Sequence, residues 1–80
     1  GRAGAFARSL AAVGVGRGDV VVVYLPNTAD WQVVFLGVLR LGAVPASVPM
    51  TTDAGTLAHI CELTSARAVV APRRWRRHPV

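Results

Sequence analysis

Apolar positions along this chain change their period several times, and each change marks an element. Over residues 2–13, Phe6, Leu10 and Val13 recur at i, i+4 and i+7 among alanines, which predicts a helix with one apolar stripe. Gly14 is placed to end it in the left-handed conformation, where a Cβ would clash. Gly16-Arg17-Gly18-Asp19 reads as a turn. Val20 to Leu25 is then an unbroken apolar run that stops at Pro26, as expected of a strand covered on both faces. From about Asp30 to Leu41 the period returns to that of a helix. Trp31, Val34, Phe35, Val38 and Leu39 form its main stripe, Val33, Leu36 and Leu41 lie off it, and a narrow strip through Asp30, Gly37 and Arg40 is left for water. A helix this apolar predicts neighbours on more than one side. Asn27, Thr28 and Asp30 are all competent to cap its start.

Gly42 ends the second helix, and Ala43 to Val48 is a second strand interrupted by Pro45. A proline confines such a segment to an edge or irregular strand, or to a register in which its nitrogen faces away from the ladder. Thr52 or Asp53 caps a third helix over residues 54–64, with Leu57, Ile60, Cys61 and Thr64 on one face. Ser65-Ala66 is the joint to a third strand, Arg67 to Ala71, which Pro72 closes. The order α-β-α-β-α-β predicts an α/β fold, a partial three-layer unit with a parallel three-stranded sheet and right-handed crossovers. Residues 73–80, Arg-Arg-Trp-Arg-Arg-His-Pro-Val, share none of these periods and read as a basic, disordered tail beyond a body of residues 1–72.

Composition changes this picture in one respect. Eighty residues make at most one small domain, which buries only about 60% of its unfolded surface. An apolar fraction of 52%, spread over elements that look two-sided, predicts a missing partner surface. The chain has no Met at position 1 and opens inside a helical pattern, so it reads as a fragment or processed product. The net charge of +5 says less than it first suggests. Through residue 72 five arginines face Asp19, Asp30, Asp53 and Glu62, and the excess comes from Arg73, Arg74, Arg76 and Arg77. A single cysteine, Cys61, excludes an internal disulfide, and without a secretory signal pattern the cytoplasm is the expected compartment. The longest apolar region, Val33 to Val48, is broken by Arg40, Gly42 and Pro45 and falls short of the ~20 residues of a membrane span.

The residues that carry chemistry are few. Gly14, Gly16 and Gly18 precede the first strand, whereas a phosphate-cradling loop follows its strand and opens a helix, so they read as cap and turn. His59 and Glu62 lie three apart on the outer side of the third helix and read as a solvated pair, since no further ligand accompanies them. Cys61 falls on an apolar stripe, late in its helix, and reads as a small core residue. Ser9, Ser47 and Ser65 lack the surroundings of a nucleophile elbow, and His78 has no partner. Arg73-Arg74-Trp75-Arg76-Arg77 is the basis of a second reading, a small basic module contacting nucleic acid through phosphates and stacking. Composition and spacing thus assign no catalytic, cofactor-binding or metal-binding residue.

A family resemblance goes further. The stretch LAAVGVGRGDVVVVYLPN resembles the early part of the adenylate-forming enzymes, the AMP-forming acyl-CoA synthetases and ligases, where a Leu-Ala helix precedes Gly-Val-x-x-Gly-Asp, a strand and Pro-Asn. FLGVLRLGAVPASVP is similar to the family's Leu-Lys/Arg-x-Gly-Ala-x-x-x-x-x-Pro motif, with Leu39, Arg40, Gly42, Ala43 and Pro49 at the matching positions, and TLAHICELTSARAVVA resembles the helix and strand that follow. The likeness runs in order over residues 1–72. It implies an N-terminal piece of a larger domain whose full-length family uses ATP, Mg²⁺ and coenzyme A to activate a carboxylate. The family's phosphate loop, ribose-binding Asp and catalytic Lys have no counterpart here, and the chain contains no Lys. The resemblance therefore implies a chain inactive alone, partnered by the missing remainder of the adenylation domain or by a full-length homologue, with no membrane or nucleic-acid partner. On this reading Gly42 and Pro49 are structural.

Overall fold

A computed structural model describes residues 1–72. Three helices and three strands alternate: α1 (Arg2–Ala12), β1 (Val20–Val23), α2 (Ala29–Arg40), β2 (Val44–Ser47), α3 (Ala54–Thr64) and β3 (Ala68–Val70). Both neighbours pair with β1 in parallel, in the order β2-β1-β3. The predicted α/β winding is therefore the observed one.

The chain steps from β1 to one neighbour and then crosses back to the other. With the hand of the crossover fixed, that reversal places the two connecting helices on opposite faces of the sheet. α1 and α2 cover one face, where Val21 and Val23 pack with Leu10, Val15, Val34, Val38 and Ala43. α3 covers the other, where Val22 and Tyr24 pack with Val48, Leu57 and Ala71. β1 is thus enclosed on both faces and flanked on both edges, and Val21, Val22 and Val23 have no exposed surface. That enclosure is why its sequence is a run of valines rather than an alternation.

Two expectations need correction on the α1/α2 face. Gly37, assigned from sequence to the wet strip of α2, is buried against α1. A Cβ there would lie 2.8 Å from Phe6 Cδ2 and 3.1 Å from the Ala3 carbonyl oxygen, so the missing side chain lets the helices approach. The helical period assigns faces but not which face meets a second helix, so a glycine opposite an apolar stripe passed for a solvent position. Val13, placed on the apolar stripe of α1, is 69% exposed, because α1 stops at Ala12 and turns Gly4, Ala7 and Leu10 inward instead. Leu36 and Leu39 of α2 are also exposed, so the second covered side expected of this helix is met by α1 only in part.

Pro45 sits on the edge strand β2, paired in register with Val21. The amides of Val44 and Val48 donate to the carbonyls of Asp19, just before β1, and of Val23 in β1, at 2.8 and 3.0 Å. By alternation the Pro45 nitrogen points outward, where no ladder bond is lost. Gly42, with φ of +71°, supplies the left-handed residue that turns α2 into β2 and lies against the Arg17 side chain.

Candidate functional site

In a parallel sheet the loops after the strands gather at one edge, and this edge holds an open concavity. The loop after β1, the start of α2 and the segment after β2 enclose an open cleft of about 550 Å³ lined by Leu25, Pro26, Asn27, Trp31, Ser47, Val48, Pro49 and Met50. Pro26 and Pro49 end their strands because neither can continue a ladder. Trp31 stands in the first turn of α2 and stacks on Phe35, one turn later, with ring centroids 4.8 Å apart and planes inclined by 17°. Its indole Nε1 donates to Ser47 Oγ at 3.2 Å, which ties α2 to the end of β2.

The segment between β2 and α3 is held in the same way. The Tyr24 hydroxyl donates to the Thr52 carbonyl at 2.7 Å, with the Met50 carbonyl a second acceptor at 3.3 Å. At the start of α3 the Thr56 amide donates to Asp53 Oδ1 at 2.8 Å, and the Thr56 hydroxyl lies 3.2 Å from Oδ2. These bonds to the charged form, the amide's first, hold the Asp53 carboxyl below its ordinary pKa. Asp53 was one of the two caps expected, and the structure selects it. For α2 it selects Thr28 by position, without a side-chain capping bond, while Asp30 pairs with Arg2 of α1 at 2.8 Å on the surface.

The cleft lining carries no charge. Its polar groups are the Asn27 amide, the Ser47 hydroxyl and the Trp31 indole, and the last two are bonded to each other. A nucleoside triphosphate calls for cationic side chains or a cradle of backbone amides. This donor set does not fit it. Nor, among the described residues, does any group of three or more His, Cys, Asp or Glu side chains come together to hold a metal ion.

The residues weighed in the sequence remain apart. His59 and Glu62 are both exposed, and neither a hydrogen bond nor an ion pair joins them. Cys61 is a free, half-buried thiol against the α3 core. Ser9 donates to the Ala5 carbonyl within α1, and Ser65 is the left-handed residue closing α3, with φ of 51°. Gly14 and Gly18 have the positive φ expected of cap and turn. Arg73 to Arg77 and His78 lie outside the described residues. Sequence reading missed the role of Tyr24, which it counted only as a strand residue. A hydroxyl at the end of an otherwise aliphatic run was the available signal, because a buried phenol needs an acceptor. The arrangement orders loops, and among the described residues it brings together no nucleophile, base and cation.

Comparison with known proteins extends this description. The sequence profile of a family described as AMP-binding enzyme matches residues 1–79. The chain is 46% identical over 66 residues, 82% of its length, to 4-coumarate–CoA ligase-like 9 of Oryza sativa subsp. japonica. It is 30% identical over 64 residues to 4-coumarate–CoA ligase-like 1 of Arabidopsis thaliana, and in both cases spans 12% of the relative. Among solved structures, 88% of the chain superposes on the N-terminal domain of FACL13 from Mycobacterium tuberculosis with a TM-score of 0.82 and 27% identity, covering 18% of that chain. Apo MatB from Rhodopseudomonas palustris matches 94% of it with a TM-score of 0.88 and 25% identity, covering 15% of that chain.

Proposed function

Taking as premise that this chain belongs to the AMP-binding enzyme family, we propose that it is part of an AMP-forming acid–CoA ligase and contributes scaffold rather than reacting groups. In such a ligase a carboxylate attacks the α-phosphate of ATP, giving an acyl-adenylate and pyrophosphate. The thiol of coenzyme A then displaces AMP to form the thioester. The observation that carries the reading is the continuous likeness to CoA ligase-like proteins along most of the chain. The uncharged cleft, and the lack among the described residues of any group of three or more His, Cys, Asp or Glu side chains, support assigning this segment no step of the reaction.

On this reading residues 1–72 are the scaffold segment, residues 73–80 a basic extension, and ATP, Mg²⁺ and coenzyme A belong to the larger enzyme in the cytoplasm. No helix of the described residues is long and apolar enough to cross a membrane. The nucleic-acid alternative rests on Arg73 to Arg77, and no comparison supports it. The test is a graft in which this chain replaces the matching segment of the rice ligase-like protein. A soluble graft that retains carboxylate-dependent ATP–pyrophosphate exchange is the expected result. A folded graft that has lost exchange, beside an active parent, would overturn the reading.

A further inference from the structure

Two arginines of the α1/α2 surface converge on one glycine. A Cβ added to Gly4 would lie 3.0 Å from Arg40 Nη1 and 3.7 Å from Arg8 Nη1, and its nearest neighbours are all guanidinium atoms. Arg8 stands one turn after Gly4 on the same side of α1, and Arg40 comes across from the last turn of α2. Gly4 itself is buried, while both arginines are exposed. The missing side chain makes the room, in a helix where glycine is a poor choice for propensity alone. The carboxylates of the chain are placed elsewhere. Asp30 pairs with Arg2 at 2.8 Å, Asp19 lies 3.6 Å from Arg67, and Asp53 caps α3. Glu62 is carried by α3, which covers the other face of the sheet. Among the described residues, then, Arg8 and Arg40 have no anionic partner, and two like charges meet side by side.

Independently of the ligase reading, we propose that Arg8 and Arg40 form a clasp for a dianionic phosphate group, held between the two guanidiniums over Gly4. The site is separate from the cleft. Trp31 borders the cleft in the first turn of α2, and Arg40 lies at the other end of that helix, roughly 13 Å along its axis. Two guanidiniums bring two positive charges and several N–H donors to one point. A phosphate monoester carries about −1.5 to −2 at neutral pH and has three acceptor oxygens, so it matches both the charge and the donors. A carboxylate, with one charge and two oxygens, matches the fork of a single arginine and leaves the second charge unbalanced.

The test is NMR of the arginine Nε–Hε signals of the 80-residue chain at neutral pH, during titration with phenyl phosphate. The signals of Arg8 and Arg40 should move together and saturate, while those of Arg2 and Arg67 stay in place. Benzoate, a single charge on the same ring, should bind more weakly by roughly 10-fold or more. Arg40→Gln should weaken phenyl phosphate by roughly 10-fold or more through loss of charge-assisted hydrogen bonds. Changing Arg73, Arg74, Arg76 and Arg77 to Gln in the full chain should leave the Arg8 and Arg40 response intact. Two further titrations identify the source of the phosphate. Inorganic phosphate binding as tightly as phenyl phosphate would make the free ion the ligand, and tighter binding of a neutral peptide bearing one phosphoserine would make it a phosphorylated chain; either result supports the clasp. Unsaturable movement of all the arginines alike, benzoate binding as tightly as phenyl phosphate, or a response lost with the four tail arginines but kept in Arg40→Gln would overturn it, and each would leave the proposed function standing.

Discussion

The two faces of the sheet are built by different means. One is closed by two helices that cross on glycine, with Gly37 of α2 against Phe6 and Ala3 of α1, and its core draws on five separate stretches of chain. The other is closed by a single helix, whose one fully buried side chain is Leu57. There the loops are secured by discrete hydrogen bonds, from Tyr24 to Thr52 and from Thr56 to Asp53. The two-helix face gains its stability from distributed packing, and the one-helix face from a few identifiable contacts. Single substitutions should therefore act more sharply on the α3 face.

The largest effect is expected for Leu57→Ala, which removes the anchor of α3 and should cost about 2–5 kcal/mol, read as a lowered midpoint in urea. Gly37→Val tests the opposite face. Its Cβ would meet the Ala3 carbonyl oxygen at 3.1 Å, and forcing the helices apart should cost about 1–3 kcal/mol. If Gly37→Val proved the more damaging of the two, the contrast between the faces would be reversed. Tyr24→Phe keeps the ring and removes the bond to Thr52. A loss of about 0.5–1.5 kcal/mol is expected, together with faster amide exchange in the segment between β2 and α3. No change in that exchange would mean the loop is held by packing alone.

Asp53→Ala should give the smallest change, and one confined by pH. The folded-state pKa of Asp53 is lowered, so its contribution is present above the ordinary aspartate pKa and is lost as pH falls through the folded value. The variant should be less stable than the parent at neutral pH, and the two should converge in strong acid. A gap that persisted unchanged in acid would remove the carboxylate from the capping role.

Much of this architecture was legible because its signals are local. The valine run of β1, the prolines closing the strands and the Asp53 cap each act within a few residues, and α3 occupies the predicted residues 54–64. The expected order α-β-α-β-α-β follows from those elements. What sequence did not give is where helices meet each other. Gly37 was assigned to water because its burial depends on α1, about thirty residues away, and Val13 was assigned to the core because the helical period continues past the point where α1 ends. The cleft at the strand ends was likewise invisible, since Trp31 and Ser47 come together only when β2 lies beside β1. The expectation that this chain supplies no reacting groups came from sequence alone, which holds no lysine.

The most direct measurement of the central claim, that this chain is framework for a ligase whose reacting groups lie elsewhere, is ATP–pyrophosphate exchange by the purified 80-residue chain with a panel of carboxylic acids and Mg²⁺. Exchange indistinguishable from a protein-free blank, beside an active rice graft, is the predicted result. Carboxylate-dependent exchange by the isolated chain would contradict it.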